Sequence, residues 1–225
     1  LYSWFGLDNP MLYAAQAAGG GYTSLYRQIG LGCEELFREV LKDQYHLTDD
    51  EANWSYEEEK DNGRTKKLSL DGRIDYDFID DQRKINRVES WVIKSSKKLG
   101  INKGIYSAFN GVVFEVRQGY KSKDSKRQNA DLQNISRAIS SGYLPVFLCL
   151  STQVDPDIIR RYQNGRGLVL TGSLSDSTSH STYAFCEEVV GYDLAGFFEQ
   201  NQDKIQSTTE DIFQTLLSPA DEAAS

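Results

Sequence analysis

Residues 111–119 read Gly-Val-Val-Phe-Glu-Val-Arg-Gln-Gly, and no other stretch restricts the fold so tightly. A run this rich in β-branched and aromatic residues belongs in a strand, with Val112, Phe114 and Val116 on one side and Val113, Glu115 and Arg117 on the other. Downstream, a helix is expected over residues 129–139, a buried strand over 145–150, a short helix opened by Asp155-Pro156, and a strand over 167–170. Strands alternating with helices in this way predict an α/β fold with at least one parallel crossover.

Upstream, Ile74, Tyr76 and Phe78 alternate with Arg73, Asp75 and Asp77, which predicts a strand over 67–79 with its carboxylates on one face. A short strand is expected over 90–94. Residues 1–22 read as an irregular arm ending at a Gly19-Gly20-Gly21 turn, and a helix is expected from Thr23 or Ser24 to Leu47. Residues 48–63 are strongly acidic and read as surface. Helices are expected over 184–201 and 208–217, before a polar tail. The whole is expected to be one domain over 1–225, with its core at about 25–172.

At 39% hydrophobic and 12% aromatic, the chain has material for a sizeable core. Its mean hydropathy of −0.53 and the lack of any apolar run near the roughly 20 residues of a membrane span point away from a membrane protein. Starting at Leu1 rather than Met, the chain leaves room for preceding residues; no secretory signal is legible. Cys33, Cys149 and Cys186 are odd in number and lack metal-site spacing, as expected of reduced thiols in the cytoplasm.

The net charge of −8 argues against a nucleic-acid partner, but its distribution reverses that. Between Arg83 and Arg127 stand twelve Lys or Arg against three acids. A basic face on an acidic body suits DNA, because the local field around phosphates governs affinity. Lys121, Lys123, Lys126, Arg127, Gln128 and Asn129, together with Arg83, Lys84, Lys97 and Lys98, are the expected DNA contacts: cations for phosphates, and Arg, Gln and Asn for base edges. A smaller cationic group, Arg160, Arg161 and Arg166, follows.

Other chemistries lack their motifs. There is no GxxxxGK[ST], GxGxxG or GxSxG, and His46 and His180 are far apart without ligand spacing. What remains is Asp75 on one strand and Glu115-Val116-Arg117 on another, hard oxygen ligands suited to Mg²⁺ with a cation two residues beyond the second. Asp71 and Asp77 read as solvated strand or turn residues.

Leu70-Asp71-Gly72-Arg73-Ile74-Asp75, followed by Val113-Phe114-Glu115-Val116-Arg117-Gln118 and then by loop, helix and strand, resembles the PD-(D/E)XK nuclease superfamily, which includes most type II restriction endonucleases. Within it, residues 118–131 are similar to ApaLI-like enzymes. The resemblance implies a restriction-endonuclease-like core, a mixed central β-sheet flanked by helices, with added N- and C-terminal helical segments. It implies a Mg²⁺-dependent, site-specific cleavage of double-stranded DNA by a homodimer, with residues 183–198 as the dimer surface. Asp75 and Glu115 would hold the metal, and Glu34, in Gly32-Cys33-Glu34, or Glu35 would be the accessory acid. Where the family carries Lys this chain has Arg117, which cannot act as a base; Lys121 stands on the same strand face if the strand continues. A structure-specific repair or resolvase-type nuclease, or a DNA-binding module with a decayed site, are the alternatives.

Overall fold

The computed structural model describes residues 10–59, 65–119 and 125–217. The chain divides into two compact units, Gly32–Leu194 and the paired ends Leu1–Leu31 with Ala195–Ser225. In the latter, the described backbone is helical: the first part of α1 (Pro10–Tyr45) and most of α8 (Leu194–Leu217). The expected arm is therefore helix from Pro10 onward, running through Gly19–Gly21 without a turn.

The unit Gly32–Leu194 holds both sheets. After α1 come α2 (Asp49–Ala52), an antiparallel hairpin of β1 (Trp54–Glu59) and β2 (Thr65–Leu70), and then β3 (Gly72–Asp75) with a 3₁₀ turn at Tyr76–Phe78. Next are α3 (Gln82–Lys98), α4 (Lys103–Tyr106), β4 (Gly111–Arg117), α5 (Ser125–Ser140), β5 (Tyr143–Cys149), α6 (Pro156–Asn164) and β6 (Leu168–Leu170). The unit closes with α7 (Thr182–Phe185) and a π-helical turn, Cys186–Val190. The main sheet has the order β3-β4-β5-β6; β3 is antiparallel to β4, and β4, β5 and β6 are mutually parallel. The α/β class and the crossovers through α5 and α6 thus match the sequence expectation.

The single strand expected over 67–79 is two strands in two sheets. β2 pairs with β1, the chain breaks at Asp71, and β3 pairs with β4. The break brings the backbone against α1: a Cβ on Gly72 would stand 3.3 Å from both Leu41 Cδ1 and Phe37 Cε1. At the other end of the pair, a Cβ on Gly111 would stand 2.0 Å from the Ile74 carbonyl oxygen, so only glycine lets β3 and β4 close there.

The strand expected over 90–94 is helix. Val88, Trp91, Val92, Ser95 and Ser96 are buried at intervals of three and four, and Asp81 caps the start by accepting the Arg83 amide at 2.8 Å. The local Trp-Val-Ile run has strand propensity, but the longer period decides. Within the acidic stretch 48–63, Asp49–Ala52 form α2 and Trp54–Glu59 form β1, and of residues 48–57 only Ala52 and Trp54 are buried.

Helices cover both faces of β4. On the Phe114 side, Phe37 of α1 meets Phe114 edge-on at 4.9 Å, Phe185 of α7 at 5.6 Å, and Trp91 of α3 meets Phe185 at 4.5 Å. Each such ring burial contributes roughly 1.5–3 kcal/mol and each ring pair about 0.5–1.5 kcal/mol more. On the Val113 side, Val113 clusters with Trp54, Leu70, Tyr143 and Ala138 of α5, while Phe147 packs with Ile135, Ile158, Tyr162 and Val169. Of the residues 183–198 expected as a dimer surface, Phe185, Cys186, Val189 and Val190 are core, because the π-helical turn packs against α3. They offer no surface to a partner. All three cysteines are free thiols. Among the described residues, no helix is long and apolar enough to cross a membrane.

Candidate active site

The β3–β4 register pairs Gly72 with Phe114 and Asp75 with Gly111. Asp71, one residue before β3, therefore stands level with Glu115, and its amide donates to the Phe114 carbonyl at 2.8 Å. Its carboxylate folds back onto the same strand and accepts the Val116 amide at 2.8 Å. Beyond Glu115 on the same face, the Arg117 guanidinium is bonded to the Glu115 carboxylate and lies 3.4 Å from that of Asp131 on α5. Asp131 is fixed from its other oxygen by the Tyr162 hydroxyl. Glu34 and Arg38 of α1 close the cluster, with Arg38 Nε donating to the Asp71 carbonyl at 3.1 Å.

Burial raises the carboxyl pKa values here. Glu115 is pushed up to about 8, by desolvation first and then by Asp71, Asp131 and Glu34, against the pull of Arg117. Asp71 rises for the same first reason, although the Val116 amide, Arg117 and Arg38 oppose it. Glu34 rises through desolvation and then Asp71, opposed by Arg117, Arg38 and Arg127. Three guanidiniums thus leave the carboxylates short of positive charge.

Protein-family models, curated proteins and solved structures all fail to match this chain.

Asp71 and Glu115 carry oxygens of the type that a small hard cation takes. Among the described residues, no group of three or more His, Cys, Asp or Glu is poised to hold a metal, so the fit rests on Asp71 and Glu115 as a pair. Mg²⁺ is commonly bound by one or two carboxylates, its other positions going to water and substrate phosphate. Engaging Glu115 would require the Arg117 guanidinium to give up that oxygen.

Asp75 does not share this site, which corrects its pairing with Glu115. It faces Gly111, four residues from Glu115 along β4, or about 13 Å at strand rise. It is buried, accepts the Tyr143 hydroxyl, and caps the following turn by accepting the Asp77 amide at 3.1 Å. Both bonds are structural. Asp71 was the residue the sequence concealed: it follows β2 and precedes a glycine, where an Asp reads as turn chemistry. Its signal was register, since the residue opposite Glu115 across an antiparallel pair shares its face. Asp131 was legible only as the i+4 neighbour of Arg127 on α5. Of the two accessory-acid candidates on α1, Glu34 reaches the cluster, whereas Glu35 is exposed.

The basic stretch is divided by the sheet. Lys126 and Arg127 are exposed in the first turn of α5, on the face of the acidic cluster, and Arg127 is near enough to act on Glu34. Arg83, Lys84, Lys97 and Lys98 belong to α3, which packs on the Phe114 face. They do not form one surface with α5, since a sheet lies between. Lys84 donates to the Gln44 carbonyl, and Lys98 Nζ lies 3.2 Å from Ser179 Oγ and 2.6 Å from His180 Nε2, so both are committed within the fold. Gln128 is buried and, with Asn129, receives Arg161 at 2.6 Å; burial removes Gln128 as a base reader. Lys121 and Lys123 lie outside the described residues.

Proposed function

We propose that the protein is a Mg²⁺-dependent endonuclease of the PD-(D/E)XK kind, cleaving double-stranded DNA at a specific sequence as a homodimer. The observation that carries this is the meeting of Asp71 and Glu115 across an antiparallel strand pair, with Arg117 beside them and a helical crossover to the next parallel strand. Asp71 and Glu115 would hold the ion, which when bound supplies Lewis-acid charge at the phosphate and acidifies water. Arg117, always protonated, orients the scissile phosphate and offsets the charge that grows on it. Glu34, whose pKa is raised by burial and by Asp71, takes the proton of the attacking water. The new P–O bond forms as the bridging P–O bond breaks, and the leaving oxygen takes a proton from solvent. Lys126 and Arg127 contact the phosphate backbone on this face.

The Arg117–Glu115 ion pair favours one second reading, a DNA-binding module whose acids are permanently neutralised. Plasmid digestion with Mg²⁺ and with EDTA separates the two. Discrete fragments that need Mg²⁺ support the nuclease, and salt-sensitive binding without cleavage supports the module. A preference for branched or damaged substrates over plasmid would point to a repair or resolvase-type enzyme instead.

A further inference from the structure

A cavity of about 300 Å³ opens beyond the Asp75–Gly111 end of the sheet, at the opposite end of β4 from Glu115. That size lies at the lower bound of ordinary ligand pockets, about 300 Å³. Three aromatic rings line it: Tyr76 from the turn after β3, Tyr106 from α4, and Phe109 just before β4. One stripe of α3 completes it, in which Val92 and Ile93 are apolar and Glu89 and Lys97 are charged.

The Tyr76 hydroxyl is buried and has no hydrogen-bond partner among the described residues. Burial, then the carboxylates of Glu89 and Asp75, push its pKa up, so it stays a proton donor. Among the described residues, no salt bridge joins Glu89 to Lys97 or to Lys103, the second cation of the lining. Glu89 and Lys97 are eight residues apart on one helix, about 12 Å along its axis, which keeps them from neutralising each other. The cavity therefore presents aromatic walls, a carboxylate toward one end of the α3 stripe and an ammonium toward the other.

We propose that this cavity binds a single nucleotide, with the phosphate at Lys97 and Lys103, the base against the aromatic rings, and an N–H edge of the base toward Glu89. A lone base or a lone phosphate would satisfy only one end. The nucleotide could be free or swung out of a DNA strand, since both present the same ring and anion. The inference does not rest on the nuclease reading, because the cavity and the acidic cluster share no residue.

Calorimetric titration of the full chain with each deoxynucleoside 5′-monophosphate, with the matching nucleosides and with inorganic phosphate tests this. Saturable binding of at least one nucleotide is expected at about 1 mM or tighter, with nucleoside and phosphate each at least about tenfold weaker. The exposed substitutions K97M and K103M together should weaken the nucleotide about tenfold or more, E89Q should change the order of preference among bases, and D71N should leave binding unaltered. A duplex carrying 2-aminopurine distinguishes the sources. A fluorescence rise that K97M with K103M abolishes assigns an extruded nucleotide, and mononucleotide binding without that rise assigns a free one. No saturation by any nucleotide up to about 10 mM, phosphate binding as tightly as nucleotide, or loss of binding in D71N rather than in the lysine variants would overturn the proposal.

Discussion

The Asp71 carboxylate accepts the Val116 amide at 2.8 Å and the Asp71 amide donates to the Phe114 carbonyl, so the acid just before β3 is held beside Glu115. The residue between β2 and β3 is thereby fixed onto β4 by hydrogen bonds to its backbone. Asp71→Asn and Glu115→Gln, which keep shape while removing charge, should each lower Mg²⁺-dependent cleavage by about a hundredfold or more. Asp75→Asn should lower it far less per folded molecule. Plasmid nicking rates normalised to folded protein give the comparison, and equal losses at all three positions would count against the site.

Asp75 should instead register in stability. Removing its carboxylate leaves the Tyr143 hydroxyl, in the buried neighbourhood of Trp54, without an acceptor, and frees the Asp77 amide. Asp75→Ala should cost about 1–3 kcal/mol in urea unfolding. Tyr143→Phe in the same background should add little, giving a coupling of about 0.5–3 kcal/mol in the double-mutant cycle. Additive losses would mean that the two side chains act separately.

These two carboxylates also measure how much of the molecule was legible. The parallel half, β4 through β6, is written in buried apolar runs bounded by a Pro-started helix that Asp155 caps, and it folds as those patterns dictate. The antiparallel half is not so written. From Leu70 to Asp75 the polar alternation continues through Asp71-Gly72, yet the chain changes sheets at Asp71, where Gly72 approaches Phe37 and Leu41. Period-two reasoning places Asp71 and Asp75 on one face equally well, and only the pairing with β4 says which of them meets Glu115. The basic stretch misled for a related reason: charge counted along the chain ignores the sheet that separates α3 from α5.

Arg117 holds buried negative charge together. Its guanidinium bonds to Glu115 and reaches Asp131, with all three side chains at most 14% exposed. Arg117→Ala should destabilise the metal-free protein by about 3–5 kcal/mol once the pH exceeds about 8 and Glu115 is ionised, the loss typical when one partner of a buried pair is removed. Both acids meet the same terminal nitrogen of Arg117, so Arg117→Lys, which keeps the charge, should recover most of that stability. If the alanine variant proves as stable as the parent, the ion pair is not what balances the cluster.

Glu115 gives the pH dependence its sign. Its pKa rises on folding from 4.5 to about 8, so the folded state holds a proton that the unfolded state has released. This contribution to stability is complete below pH 4.5 and is lost as the pH climbs through about 8. In EDTA the Tm should therefore fall across that window, and Glu115→Gln should flatten the fall. Mg²⁺ should raise the Tm most at the alkaline end, where the carboxylate is free of its proton. A Tm that rises with pH across the same window in EDTA would contradict the arrangement.

The division of the basic stretch makes a last prediction about salt. Each phosphate contact contributes about 0.9 to the slope of log affinity against log salt concentration on duplex DNA. Lys126 and Arg127 stand exposed on the face of the acidic cluster, and Arg127 is close enough to act on Glu34. Replacing both with Ala should reduce the slope by about 2 and weaken binding in low salt. Lys84, by contrast, has its ammonium on the Gln44 carbonyl and near the Tyr45 ring. Lys84→Ala should leave the slope unchanged and show itself, if at all, in unfolding. Fluorescence anisotropy with one labelled duplex across a salt series reads both variants together. A slope that drops for Lys84→Ala as much as for either residue of α5 would restore α3 to the DNA surface and remove the physical ground for dividing the cations.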